Sequence, residues 1–423
     1  MNTTETAATT YNAPPSVERL GGRALIIGII AVIVCALGAF VNLAGFWRAY
    51  LVGYVFWTGV SVGSLAIIML HHLSGGGWGV VIRRPLEAAT RTIPLMLVLF
   101  IPIAIAVFTH TLYPWTVPEE ANVHAIKHKE IYLNIPFFLG RTLFYFAMWF
   151  MLAYFLNKFS LQQDTETDPR EGRRLKEKLQ TVSGPGILLF GLTVTFAAVD
   201  WVMSLEPEWF STIYGLLIMV GWGLTALAFA ITVTVMLAKD ERLAHVYQPR
   251  HFHDHGKLLL AFVMLWSYFS FSQFLIIWSG NLPEEIPWYM RRLFGNWGYV
   301  AVALVIFHFA FPFALLLSRD LKRHGRTLVK VALLVLLMRV VDLFWTIAPS
   351  ALAMPAEHGG AAAGEYGGAG FANVFGYALN FITPVAIGGI WLWWYARELR
   401  KRPLLPLGDE GLENALEQKD GHH

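Results

Sequence analysis

Ala24-Leu-Ile-Ile-Gly-Ile-Ile-Ala-Val-Ile-Val-Cys-Ala-Leu-Gly-Ala-Phe-Val-Asn-Leu-Ala-Gly-Phe-Trp47 contains no charged residue. A bilayer core about 30 Å thick is crossed by roughly 20 apolar residues of α-helix, so this run is long enough to span one. The stretch before it, Met1 to Gly22, is polar and rich in Thr and Ala. It lacks a short apolar core with a small-residue cleavage site, so the run reads as a retained helix and not as a removed signal peptide.

The same pattern repeats along the chain. Spans are expected at 24–47, 50–72, 92–114, 132–157, 185–205, 210–238, 257–280, 295–318, 328–353 and 371–396. The second, third, fifth and sixth contain Gly or Pro, which membrane helices tolerate as interruptions. The composition agrees: 56% of residues are hydrophobic and 14% charged, against roughly 25% charged in soluble domains. The single cysteine, Cys35, lies inside the first run. It can form no intrachain disulfide and supplies no iron–sulfur, zinc-finger or CxxCH haem site.

Lys and Arg divide unevenly between the two sides. The N-terminal side carries 25 of the 32, the opposite side 5, and Arg141 and Arg339 fall inside spans. Basic loops stay in the cytoplasm, so both termini are expected there. An even number of spans follows. Ser160 to Val182 reads as a basic cytoplasmic connector, the tail after Pro403 as polar and mobile, and Gly359 to Gly370 as an outer loop.

A short repeat suggests duplication. Asp200-Trp-Val-Met-Ser204-Leu-Glu206-Pro207 and Asp342-Leu-Phe-Trp-Thr346-Ile-Ala-Pro349 both place a hydroxyl four residues after the Asp and a Pro seven after. The expected fold is therefore an all-α polytopic membrane protein of about ten transmembrane helices, arranged as two four-helix bundles plus two flanking helices. Its divisions are a tail at 1–23, a flanking helix at 24–49, bundles at 50–209 and 210–353, an outer loop and tenth helix at 354–396, and a tail at 397–423.

Charges inside a membrane are costly and mark functional positions. They are Arg141, Asp200, Arg339 and Asp342, with His110, His308 and Gln273 as polar companions. At about 1.5 Å per residue, Arg141 lies about 14 Å, Asp342 roughly 16 Å and Asp200 about 8 Å from the outer surface. Arg339 and Asp342, three apart, share a helix face as a structural pair or as part of a proton relay. Arg141 looks for its counter-charge on a neighbouring helix, at Asp200 or Asp342. No two histidines lie at matched depth on facing spans, which argues against a bis-histidine haem. His251, His253 and His255 with Asp254 resemble a metal site only in spacing, and a solvated turn explains them equally; no metal site is expected. Gly59 and Gly63 form a small-residue packing face. In the outer loops, Glu206-Pro-Glu208-Trp209 and Pro283-Glu284-Glu285-Ile-Pro-Trp288 are either solvated rims or, through Glu208, Trp209, Glu284, Glu285 and Trp288, a partner-docking surface, with Glu206 a further proton-path residue. No nucleotide-binding, P-loop, HExxH or GxSxG motif is present in a fitting context, and nothing points to nucleic acid.

Two longer stretches carry a family resemblance. These are Gly184-Pro-Gly through Thr193 to Pro207, and Gly256-Lys-Leu through Phe269-Ser-Phe-Ser-Gln273 to Trp288. In them the chain resembles the NrfD/polysulfide-reductase-type membrane subunits, and more closely the second such subunit of bacterial alternative complex III, a quinol:electron-acceptor oxidoreductase. The resemblance implies a sister membrane subunit of the same fold, and periplasmic partners carrying iron–sulfur clusters and c-type haems. It also implies quinol oxidation near the outer side, with menaquinone or another quinone, and a proton path, while this chain holds no redox cofactor. A secondary transporter and a purely structural anchor are the competing readings.

Overall fold

The computed structural model describes residues 11–117, 127–244, 246–353 and 371–417. Gly359–Gly370, His422 and His423 lie outside them. The protein is an all-α polytopic membrane protein with ten helices long and apolar enough to cross a bilayer. They are α1 (Pro15–Val41), α2 (Leu43–Ser74), α3 (Arg83–Phe108, in three pieces), α4 (Ile135–Thr165), α5 (Pro169–Trp201), α6 (Tyr214–Leu237), α7 (Pro249–Gly280), α8 (Asn296–Leu317, in consecutive pieces), α9 (Gly325–Ile347) and α10 (Phe371–Arg400).

The number of spans expected from sequence is found, but several boundaries move. The first turn falls at Asn42, not near residue 48, because the Asn42 side chain accepts the Gly45 amide at 2.7 Å and caps α2. Arg48 is thereby drawn into α2 and buried. The expected connector at Ser160–Val182 is mostly helix: α4 runs to Thr165, and Asp168 accepts the Arg170 amide at 2.9 Å to start α5. Helix propensity outlasts the apolar run at this end, so the hairpin continues beyond it.

The interruptions have specific causes. Pro94 and Pro102 each remove an amide donor and divide α3 into Arg83–Thr90, Ile93–Val98 and Ile101–Phe108. Tyr50 on α2 donates its hydroxyl to the Leu99 carbonyl at the second break, at 2.8 Å, which restores a bond where lipid offers none. In α8 the stretch Leu304–Ala310 is π-helical and ends against Pro312. Helices α2, α5 and α6, expected to be interrupted, run unbroken.

Helix α2 lies at the centre, buried along almost its whole length, whereas α1 sits at the edge against α10. Helices α2 to α5 pack around one another, as do α6 to α9, and α2 and α6 meet along the middle. That contact depends on Gly59 and Gly63. A methyl group on Gly59 would strike the Trp222 indole, and one on Gly63 would strike the Trp222 carbonyl. Gly63→Leu is expected to cost about 3 kcal/mol through overpacking, measured as a fall in the thermal unfolding midpoint in detergent. Gly140→Leu is the control, since nothing lies within 4 Å of the added carbon. Equal midpoints for the two variants would mean that the α2–α6 contact is looser than described.

At the end where α1 begins and α10 finishes, termed the basic end, the Leu404 amide donates to Tyr11 at 2.8 Å. The tail after Pro403 is not wholly polar and loose. Leu404, Leu405 and Leu412 are buried, and Gly411–Glu417 is helical. Beneath it lies a buried ionic network whose arginines the charge count took only as flanking cations. Glu87 accepts Arg83 at 3.0 Å, Arg84 at 2.5 Å and Ser160 at 2.6 Å. Arg83 also reaches Asp409 at 2.7 Å, Arg84 pairs with Asp164, and Arg91 holds Glu398 at 3.0 Å. Buried charge therefore occurs at both ends of the bundle, and not only in the outer half as expected.

Candidate functional site

Two aspartates organise the polar interior. Asp200, near the end of α5, is fully buried. Arg141 on α4 grips it with two parallel bonds of 2.9 and 2.8 Å, and the Tyr145 hydroxyl adds a third at 2.6 Å. Arg141 donates to the Tyr132 carbonyl at 2.9 Å and lies 3.7 Å over the Tyr132 ring and 4.4 Å from that of Phe137. The expected counter-charge from a neighbouring helix is thus Asp200. Three donors and two aromatic faces hold this pair, the arrangement of a clamp between α4 and α5. A small apolar cavity of about 210 Å³ lies alongside, lined by Tyr132, Val199, Met203, Ser204 and Phe210.

Asp342 on α9 is held differently. Arg339, one turn earlier, pairs with its Oδ2, and the Trp266 indole on α7 donates to the same oxygen at 3.2 Å. Both recorded bonds fall on one oxygen, and the grip is not bidentate. Gly221 on α6 leaves room for the Arg339 guanidinium, which a side chain there would strike. Trp266 also stands edge-on to His308, ring centres 4.2 Å apart. His308 is fully buried in the π-helical turn of α8, and neither ring nitrogen has a hydrogen-bond partner among the described residues. A buried polar group without a partner needs an explanation, and π-turns often coincide with functional positions.

Trp266 forms part of the wall of an apolar cleft of about 480 Å³ between α7, α8 and the short helix Ile286–Leu293. Phe271, Phe274, Tyr289, Phe309 and Trp345 line it, with the Ser267 and Ser270 hydroxyls as its polar points. Phe271 and Val305 on the rim are about 60% exposed, so the cleft opens toward the lipid side of the bundle. The chemistry that fits is a flat, largely apolar ring with a few hydrogen-bonding oxygens. One indole separates that space from the Asp342–Arg339 pair and His308.

Gln273 braces the cleft. It accepts from Ser211 at 3.2 Å and donates to the Tyr289 hydroxyl at 3.3 Å. Farther out, Arg292 is fully buried and donates to Glu206 at 2.6 Å, the Thr346 carbonyl at 2.9 Å and Ser350 at 3.1 Å. Arg291 also pairs with Glu206. Burial alone would raise the Glu206 carboxyl, but the two guanidiniums outweigh it and hold it below the ordinary carboxylate value. Its stabilising contribution is therefore complete above the unfolded-chain value, about 4.3, and is lost only as pH falls through the lower folded value. Glu206→Gln is expected to remove about 3 kcal/mol by leaving Arg292 buried without its carboxylate, and to flatten the acid limb of a stability–pH curve. An unchanged acid limb would take Glu206 out of that role.

The repeat read in the sequence has the same local form in both halves. Ser204 donates to the Asp200 carbonyl at 2.5 Å and Thr346 to the Asp342 carbonyl at 2.8 Å, and a 3₁₀ turn follows each. Other expectations fail. His110 is exposed at the end of α3, in a left-handed backbone conformation, and belongs to neither cluster. Trp209 and Trp288 are buried and stacked on each other, 4.8 Å apart and 16° from parallel, so they present no docking surface. Glu208 and Glu284 are exposed and Glu285 partly so. His251 and His255 are taken up by the Gln248 amide and the Trp78 carbonyl, and among the described residues no group of three or more His, Cys, Asp or Glu is placed to hold a metal ion. Trp266, Tyr145 and Glu87 were missed. The two aromatics carried no signal in a charge-based reading, but Arg83 and Arg84 at four- and three-residue spacing from Glu87 did.

No protein-family model matches the chain, and no curated protein sequence matches it. The fold and the site define a polytopic α-helical membrane protein with several buried carboxylate–guanidinium pairs among its described residues, one of which, Arg339–Asp342, lies beside an aromatic cleft.

Proposed function

We propose that this chain is an integral membrane subunit of a quinol:electron-acceptor oxidoreductase of the alternative complex III type, and that the cleft beside Asp342 takes the quinol ring. The observation that supports this most is Trp266, which faces the cleft on one side and hydrogen-bonds Asp342 at 3.2 Å on the other. Quinol oxidation releases protons as well as electrons. Asp342 and His308 are the groups here that would receive the protons, with Arg339 holding the carboxylate in place. Electrons would leave to iron–sulfur clusters and c-type haems on partner subunits, alongside a sister membrane subunit. The basic end would face the cytoplasm, since cytoplasmic loops retain Lys and Arg, and the cleft would then open in the outer half of a bacterial inner membrane.

A transporter would use broken helices to line a substrate path. The second break in α3 is instead packed against Tyr50, which favours the oxidoreductase reading. The test is mild-detergent purification of the tagged chain. Haem-bearing partners and quinol oxidation should accompany it, and Ser270→Phe, which fills the cleft, should abolish the oxidation with the partners still bound. A chain that purifies alone, or an unaltered rate with the cleft filled, would reject the reading.

A further inference from the structure

At the basic end, away from both aspartate sites, a groove of about 370 Å³ opens between the first turns of α1 and the last turns of α10. Glu18, Gly21 and Gly22 line it from α1, and Trp393, Arg397 and Arg400 from α10. Residues three and four apart share a helix face, so each helix turns one face to the groove. The two glycines keep the α1 face low. A carbon added at Gly21 would strike Ala396, whereas one at Gly22 meets nothing within 4 Å. The helices therefore touch at Gly21 and stand open beside it.

Arg397 is the unpaired charge of this groove. Its guanidinium lies 5.3 Å over the Trp393 ring and 6.0 Å from that of Trp394. Stacking on an aromatic face restrains a guanidinium and leaves its planar fork of N–H donors free. Among the described residues Arg397 has neither a carboxylate partner nor a hydrogen bond. Glu18, the one acid among the lining residues, pairs with Arg400 at 2.9 Å, and both side chains are open to water, at 62 and 42% exposure. Such a pair is weak. Arg19 and Arg23, exposed on the adjoining face of α1, also lack an ion-pair partner among the described residues. Around this groove four guanidiniums accompany one carboxylate, and the balance is positive.

Toward the membrane interior the surface turns apolar. Ile26, Ile30 and Ile33 follow Gly22 on one face of α1, each more than half exposed. From Gly22 to Ile33 the stripe descends about 16 Å, half of a bilayer core about 30 Å thick. A ligand that satisfies both parts carries an oxyanion for the stacked guanidinium, which suits bidentate recognition of phosphate, and a hydrocarbon chain one leaflet long. We propose that the groove holds the headgroup of one anionic phospholipid from the leaflet at the basic end, with an acyl chain on the α1 stripe. Basic pockets between helices at a membrane face suit such headgroups. The proposal is independent of the quinol reading.

The experiment follows thermal unfolding of the full chain, with any subunits that copurify, in phosphatidylcholine nanodiscs of increasing phosphatidylglycerol content. The midpoint is expected to rise and saturate. Arg397→Gln should weaken that response about tenfold, as the loss of one charge-assisted contact does. Gly22→Leu keeps every charge but fills the groove, and should weaken it as well. Arg173→Gln removes the same charge at an exposed position on the extension of α5 and should leave the response unchanged. A midpoint indifferent to phosphatidylglycerol, a response that survives Gly22→Leu, or one altered equally by Arg397→Gln and Arg173→Gln would overturn the proposal and leave this edge to bulk lipid or a partner helix.

Discussion

If the chain serves the quinol oxidation proposed for it, the double variant Arg339→Gln/Asp342→Asn is expected to fold and assemble but to oxidise quinol about a hundredfold more slowly, the lower range of what a positioned acid or base contributes. Both members must be changed together. Asp342→Asn alone leaves the fully buried Arg339 guanidinium without its counter-charge, at a cost of about 3–5 kcal/mol, and a slow enzyme would then be indistinguishable from a misfolded one. The neutral pair keeps the shape, and the side-chain amide introduced in place of the Asp342 carboxylate still offers an oxygen to Trp266. Turnover is measured in the complex alongside its thermal midpoint and its haem content. A wild-type rate from a fully assembled double variant would remove Asp342 from the chemistry and leave the pair as packing.

The aspartates, so similar in sequence, differ in what surrounds them, and this difference was not legible beforehand. The spacing of Asp200, Ser204 and Pro207 against Asp342, Thr346 and Pro349 predicted a shared local turn, because a hydroxyl four residues on bonds back to the carbonyl. The apolar runs predicted ten spans for an equally direct reason: a bilayer demands a fixed length of helix. Depth arithmetic left Arg141 two candidate partners, and its estimated depth matched Asp342 better than the Asp200 it in fact pairs with. No periodicity, however, says that Tyr145 will complete the Asp200 shell while Trp266 serves Asp342, since both aromatics read only as apolar span residues. The same weakness hid the network around Glu87. Counting Arg83, Arg84 and Arg91 as flanking cations was wrong for their environment, because the tail from Arg402 to Asp409 folds back to cover them. Trp209 and Trp288 erred in the opposite direction. Aromatics beside acids in a loop look exposed, yet each supplies the other with an apolar face.

Arg141→Leu should destabilise the chain by about 3–5 kcal/mol, because it strips a fully buried carboxylate of its bidentate partner. Asp200→Leu should cost a similar amount by leaving the guanidinium and the Tyr145 hydroxyl unanswered. The double variant Arg141→Leu/Asp200→Leu should recover most of that loss, since an apolar pair of similar volume replaces a buried ion pair at little net cost. The coupling energy of this cycle is the measurable quantity, read from unfolding midpoints in detergent. Function should follow stability here. If three donors fix Asp200 as a clamp, the folded double variant oxidises quinol at close to the normal rate, unlike its counterpart at Arg339 and Asp342. Additive losses would show that Arg141 and Asp200 stabilise the fold separately. A folded but inactive double variant would move the proton chemistry from the second half of the chain to the first.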